Sequence, residues 1–292
     1  MKTFQNKVAA ITGAASGMGR TLAIELARRG CHLALSDVNE TELVRTAELA
    51  HKQAGAQGVR VTTTRLDVAN RDAVYAWAEQ VVQDHGQVNL IFNNAGVALT
   101  VPVEHMKLSD FEWIMGINFW GVVHGTQAFL PHLKKSGDGH VINTSSLFGL
   151  MAVPTQSAYN SSKFAVRGFT EALRMELEME GAPVSATCVH PGGIATNIAM
   201  AGKVDPIMEQ LTGASVETHK RRANKLINVT TAEDAARQIL TAVERNERRV
   251  LVGKDARFLD KVIRLFGAGY QPLVMRQLQK MRSKDTVRAR TA

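Results

Sequence analysis

A chain of 292 residues, 45% of them hydrophobic and with a net charge of +8, is long enough for one large domain with a substantial core, or at most two small ones. Its two cysteines, Cys31 and Cys188, sit in the apolar runs CHLAL and ATCVH. That placement suits buried thiols in a reducing, cytoplasmic setting and argues against a disulfide framework or a metal site. No uninterrupted apolar segment approaches membrane-spanning length, and the opening MKTFQNKVAAITG carries no secretion signal.

The charge is concentrated at one end. From residue 276 onward, Arg276, Lys280, Arg282, Lys284, Arg288 and Arg290 stand against Asp285, so this segment supplies +5 and the remaining chain only +3. A solvated terminus is favoured over a lipid contact for such a run, and nucleic acid is not expected as a partner.

In chain order, short apolar runs alternate with helix-patterned segments. KVAAITG leads to a helix through Leu22 and Leu26, HLALSD to a helix from about Asn39, and VTTTRLDV to a helix through Val74 and Trp77. VNLIFNNAG precedes a helix from Phe111 to Leu133, HVINTSS one from about Tyr159 to Glu180, and VSATCVHPGG follows. Near-continuous apolar strands are buried on both faces, so the pattern predicts an α/β fold with a parallel sheet between helix layers. Residues 197–230 are longer than an ordinary connection and rich in Met, which fits either a mobile lid over a pocket or a helical excursion without a role. Thr231 is placed to cap the next helix, and RVLVG supplies the last strand. Beyond Gly253, Phe258, Val262, Leu265 and Phe266 recur at helical spacing, a stripe expected to dock on its own domain or a second subunit rather than on a membrane surface. The pattern divides the chain into one α/β domain over 1–253 and a basic, amphipathic helical extension over 254–292.

Two constellations carry chemistry. The first is the turn Thr12-Gly13-Ala14-Ala15-Ser16-Gly17-Met18-Gly19, set between a buried strand and a helix. A pyrophosphate needs backbone amides at a helix N-terminus, and side chains on the turn would block its approach. The spacing G-x3-G-x-G departs from the generic dinucleotide fingerprint G-x-G-x-x-G, which it fits only loosely. Asp37 ends the second strand, 18 residues after Gly19, where a carboxylate accepts from ribose hydroxyls and repels a 2′-phosphate. With no Arg or Lys within the turn or immediately after Asp37, NAD is preferred to NADP, although Asp37 as a mere helix cap stays open. Asp67, at the end of VTTTRLDV, is similarly placed to meet the adenine or simply to cap a helix.

The second is Tyr159 and Lys163, four apart on a helical segment and so on one face a single turn apart. A phenol titrates near 10, and an adjacent ammonium is expected to lower that value towards the working range. Ser146, 13 residues earlier, offers a hydroxyl to a substrate oxygen, or caps the next turn.

Taken together, these motifs resemble the short-chain dehydrogenase/reductase family over roughly residues 5–253. The match runs in order through Thr12-Gly13-x3-Gly17-x-Gly19, Asn93-Asn94-Ala95-Gly96, Asn118, Ser146, Tyr159-Asn160-Ser161-Ser162-Lys163 and Pro191-Gly192-Gly193. The resemblance implies a Rossmann-like, doubly wound, seven-stranded parallel sheet and a tetrad of Asn118, Ser146, Tyr159 and Lys163. In that tetrad Tyr159 exchanges the proton, Lys163 holds the nicotinamide ribose and depresses the tyrosine's pKa, Ser146 fixes the substrate oxygen, and Asn118 anchors a water leading to solvent. Asn118 is further implied to depend on a helix irregularity invisible in sequence. The implied cofactor contacts are Gly13, Ser16, Gly17, Met18 and Gly19 in the turn, Asp37, Asp67 with Val68, Asn94, Ala95 and Gly96 on the adenosine side, and Pro191, Gly192, Ile194 and Thr196 towards the nicotinamide amide. A homodimer or homotetramer is implied as well.

The expected reaction is hydride transfer between the nicotinamide and a secondary alcohol or ketone. The apolar segments 147–153 and 197–211 would border the pocket and favour a hydrophobic, steroid-, retinoid- or fatty-chain-like substrate over a 3-oxoacyl thioester or a small diketone. A catalytically idle dinucleotide-binding sensor or scaffold is the rival of another class, opposed by the intact tetrad. An epimerase or dehydratase of the extended type would have a longer C-terminal substrate domain. His124, His132 and His190 lack ligand spacing, and no metal is expected.

Overall fold

The fold is taken from a computed structural model, which describes residues 1–277 and 279. Of the basic terminal run, Lys280, Arg282, Lys284, Arg288 and Arg290 lie outside the described residues. The alternating units form in the order expected: β1 (Val8–Thr12), α1 (Gly17–Arg28), β2 (His32–Asp37), α2 (Glu40–Ala54), β3 (Val61–Arg65), α3 (Arg71–His85) and β4 (Leu90–Asn93). A two-residue β5 (Leu99–Thr100) precedes one long helical rod made of α4 (Leu108–Met115), a π-helical turn over Gly116–Trp120 and α5 (Gly121–Lys135). Next come β6 (Gly139–Thr144), α6 (Ser157–Met179) and β7 (Val184–Pro191). The excursion over 197–230 holds α7 (Ile198–Ala201), β8 (Lys203–Val204), α8 (Ile207–Thr212) and α9 (Val216–Ile227). The chain continues with α10 (Ala232–Glu244), β9 (Arg249–Val252), α11 (Lys254–Phe266) and helical residues 270–277.

Seven strands form one sheet in the order β3-β2-β1-β4-β6-β7-β9, every neighbouring pair parallel. The order reverses between β1 and β4, which opens a crevice beyond their carboxyl ends. The strands alternate strictly: Ala9 and Ile11 of β1 pack with α1, α2 and α10, while Val8 and Ala10 pack with α3, α5 and α6. Short polar side chains start the helices, because the first amides lack intrahelical partners. Asn39 accepts from Glu42 N, Asn70 from Ala73 N, and Thr231, as expected, from Asp234 N.

The residues at 197–230 form short helices and a two-residue strand tied to the body. β8 pairs in parallel with β5, Lys203 N donates to Ala98 O at 2.9 Å and Asp205 N to Thr100 O at 3.0 Å. The Lys203 ammonium lies 3.8 Å from the centroid of the Trp113 ring and 3.4 Å from Asp110. The stripe on α11 does not dock on its own domain among the described residues: Phe258 and Leu265 are 65% and 78% exposed, while Ala256 and Asp260 face inward. Helical periodicity located the stripe but not the face that the β9–α11 junction turns inward.

Candidate active site

The crevice gathers both constellations. At its cofactor end, the turn after β1 is left-handed at Gly13 (φ 66°) and Gly17 (φ 50°), a region in which a Cβ is strained. Space is equally short: a Cβ on Gly13 would lie 2.7 Å from Ala95 Cα, and one on Gly19 would lie 2.0 Å from Gly13 O. Helix α1 begins without a side-chain cap and without an acidic residue in its first turn. Its leading amides are therefore available to an anionic group such as a pyrophosphate, and the turn fits a dinucleotide.

Asp37 is tied to this turn. Its Oδ2 accepts from Ala15 N at 3.0 Å and its Oδ1 from Asn39 N at 3.0 Å, while Asn39, not Asp37, caps α2. Each carboxylate oxygen keeps further acceptor capacity. Asp67 holds its own loop by accepting from Ala69 N, and Asn70 caps the helix that follows. Asn94 acts as a brace: its Nδ2 donates to Thr12 O and Gly13 O, and Thr12 Oγ1 accepts from Asn94 N and Ala95 N. Arg20, one residue beyond the glycine turn, pairs with Glu42 at 2.6 Å and hydrogen-bonds Ala15 O, so its charge is already compensated.

At the chemical end, Tyr159 and Lys163 project from one face of α6, with Lys163 Nζ 5.7 Å from the Tyr159 ring centroid. Lys163 is 3% exposed, and Nζ donates to Thr144 O at 3.0 Å. Burial lowers its pKa to about 8. The phenol does not follow the expectation from spacing. Burial pushes the Tyr159 pKa up, with a hydrogen bond to Ser146 opposing it. The ammonium is turned to the end of β6 rather than to the phenolic oxygen. Ser146 Oγ accepts from Phe148 N, capping a turn, and also hydrogen-bonds Tyr159.

Asn118 sits at the centre of the π turn, fully buried. Its Oδ1 accepts from Val97 N at 2.8 Å, and its Nδ2 donates to Val97 O at 3.0 Å and to Ser162 Oγ at 3.2 Å. Ser162 Oγ in turn donates to Tyr159 O. Gly96 is where these parts meet, since a Cβ there would stand 3.3 Å from Asn118 Oδ1 and 3.4 Å from Lys163 Nζ. Gly17 approaches Thr196, whose Cγ2 is 3.1 Å from a Cβ built at Gly17, so the nicotinamide-side segment closes against the glycine turn.

Sequence reasoning missed Ser162, Thr144 and His190 as parts of the site. His190 Nδ1 donates to Ser146 O at 2.8 Å, and the Phe148 ring meets Tyr159 edge-on at 6.3 Å. Only Ser162 had a signal, lying inside the Tyr-x3-Lys repeat; the others act through backbone atoms or through a fold contact. Of the segment expected to border the pocket, Leu147, Leu150 and Met151 are buried in the core and Phe148 is left to face the tyrosine. A groove of about 790 Å³ between α6 and residues 271–275 is lined by Ser157, Ser161 and Phe164, which point away from Tyr159. It is therefore not the reaction site. Among the described residues no group of three His, Cys, Asp or Glu side chains is placed to hold a metal.

A doubly wound parallel sheet whose switch-point crevice joins an anion-accepting turn to a Tyr–Lys–Ser–Asn cluster defines a nicotinamide-dependent oxidoreductase. The short chain dehydrogenase family model matches residues 7–205, and the chain belongs to that family as an NAD(P)-dependent oxidoreductase. It is 48% identical over 274 residues to a putative oxidoreductase of Mycobacterium tuberculosis, SadH, covering 94% of this chain and 96% of that one. The structure is similar to a short chain dehydrogenase/reductase from Burkholderia phymatum solved in complex with NAD, with a TM-score of 0.81 at 32% identity, covering 89% of this chain and 94% of that one. It is also similar to a levodione reductase, with a TM-score of 0.74 at 26% identity and coverage of 87% and 99%.

Proposed function

We propose that the chain interconverts a hydrophobic secondary alcohol and its ketone, with NAD as the preferred cofactor. The observation that carries this reading is the convergence of Tyr159, Ser146, Lys163 and Asn118 at the mouth of the crevice that begins with the Gly13–Gly19 turn. The nicotinamide supplies or accepts the hydride. Tyr159 gives its proton to the carbonyl oxygen in reduction and removes it from the alcohol in oxidation, while Ser146 orients that oxygen. Lys163, held by Thr144 O, presents its ammonium to the ribose hydroxyls, and Asn118 fixes the backbone around Val97 and anchors the proton path to solvent. Tyr159→Phe is expected to lower turnover by about 10²- to 10⁴-fold with little change in NADH affinity, read by steady-state kinetics and fluorescence titration. Full activity in that variant would remove the proposed chemistry.

The preference for NAD rests on Asp37 and on the commitment of Arg20 to Glu42. Arg65, the register partner of Asp37 on β3, supplies a cation on the same side. Asp37→Ala is accordingly expected to lower the NAD-to-NADP ratio of kcat/KM by about tenfold or more, as removal of like-charge repulsion requires; an unchanged ratio reduces Asp37 to a brace of the turn. A hydrophobic substrate is supported by the surroundings of Tyr159, which packs with Leu99, Val101, Ile114 and Ala158 and meets Phe148. A screen of long-chain and polycyclic ketones against 3-oxoacyl thioesters and small diketones separates the substrate readings. Phe164, Met175 and Met179 on the outer face of α6, with the stripe on α11, are exposed apolar surface that favours a homodimer or homotetramer, which light scattering on the eluted protein measures. The two buried, unpaired thiols favour a reducing, cytoplasmic setting.

A further inference from the structure

The turn over 191–193 is gripped from two sides. On one side, the exit of the excursion holds it: Thr230 N donates to Gly193 O at 2.9 Å, Ala195 N to Thr230 O at 2.8 Å, and Ile194 bridges in parallel to Thr230. On the other side stands Asp255, in the first turn of α11 and thus beyond the 7–205 span of the family match. Its Oδ2 accepts from Gly193 N at 2.6 Å. The carboxylate is enclosed by glycines. A Cβ on Gly192 would lie 2.3 Å from Asp255 Oδ2, and one on Gly253 would lie 2.5 Å from Oδ1, with Gly253 itself at φ 99°. Oδ1 is buried with no hydrogen-bond partner in the chain, so the site keeps an unpaired carboxylate oxygen out of water to make one bond to Gly193 N. Burying a carboxylate oxygen in this way is costly, and an alanine or apolar residue at the start of a helix avoids the cost.

We propose that Asp255 is a positioning residue for the nicotinamide end of the site. Through Gly193 N it fixes where β7 ends and where the backbone of Ile194 and the side chain of Thr196 are presented. Asp255 touches neither substrate nor cofactor, and its effect passes through the turn. The C-terminal extension thereby contributes to cofactor binding through its first helical turn, independently of the residues that follow. This assignment rests on the reading of the crevice as a nicotinamide dinucleotide site with Ile194 and Thr196 at the nicotinamide amide.

The test separates the two halves of the cofactor. NADH and ADP-ribose, which lacks the nicotinamide, are titrated into the full chain and into Asp255→Ala and Asp255→Asn. Asp255→Ala is expected to weaken NADH by about tenfold to a hundredfold, the worth of a hydrogen bond to a charged group, and to leave ADP-ribose within about twofold. Asp255→Asn keeps an acceptor oxygen and is expected to restore most of the NADH affinity. Should the alanine variant not fold, Asp255→Ser, whose hydroxyl is too short to reach Gly193 N, takes its place in the same titrations. Equal weakening of both ligands, or no weakening of either, overturns the assignment. Failure of the unaltered chain to bind either ligand overturns instead the dinucleotide reading on which the assignment stands.

Discussion

Lys163 shows how a single side chain serves the site at the expense of the fold. Burial holds its ammonium at a pKa of about 8, below the ordinary lysine value of 10.5. A base whose folded pKa is depressed takes up its proton more readily unfolded, so stability falls as pH drops from about 10.5 through about 8 and the full cost is present below that. At pH 7 the cost is ~3 kcal/mol on the linkage arithmetic. Lys163→Met is therefore expected to abolish turnover and to raise the melting temperature of the ligand-free chain at pH 7 by about 6–12 °C, at about 2–4 °C per kcal/mol regained. That gain should vanish near pH 10.5, which thermal unfolding at the two pH values checks. At this scale Tyr159 and Lys163 were legible because their helical spacing stood in order with Ser146 and the glycine turn. What spacing could not give is the direction in which the ammonium points, since Thr144 O holds it towards β6, or the burial that raises the phenol's pKa. Thr144 and His190 were illegible for a related reason, because Thr144 acts by a backbone carbonyl and His190 on one.

Among the elements, the turn between β1 and α1 was read correctly from glycine spacing and strand–helix context, although it departs from the generic fingerprint. The structure supplies the reason: Gly19 packs on Gly13 O and Gly13 on Ala95, so the spacing serves contact between the turn and the end of β4 as well as access for a ligand. Gly19→Ala is expected to weaken NADH binding at least about tenfold and to destabilise the chain by about 1–3 kcal/mol, the usual cost of forcing a methyl group into filled space. Titration and chemical denaturation read the two effects separately. The irregularity implied at Asn118 by the resemblance is the π turn over Gly116–Trp120, which no local pattern signals. Nothing in the local residues GINFW announces an inserted residue; the turn is held by the bonds of Asn118 to Val97 and Ser162, which come from other parts of the chain. The same limit applies to 197–230, where β8 finds β5 across about a hundred residues of sequence.

For the whole molecule, the crevice is a place where β1, β4, β6 and β7 end together, and a ligand lying across it ties otherwise separate segments to one another. A cofactor that binds only the folded chain adds about 2.7 kcal/mol at a concentration one hundred times its Kd. NADH at that level is expected to raise the melting temperature by about 5–11 °C, read by differential scanning calorimetry, and no shift would mean that the crevice does not bind it. The sequence by itself determined the α/β class, the order of strands and helices, the glycine turn, the acid at the end of the second strand and the Tyr–Lys pair. These follow from local periodicity and from chemistry confined to a few neighbouring residues. Only the tertiary structure decided which face α11 turns inward, how Ser162, Thr144 and His190 brace the site, and that Asp255 reaches back to Gly193. Each of those depends on backbone groups or chain segments far apart in sequence, whose meeting is set by the packing of the sheet and its helices and leaves no local pattern to read.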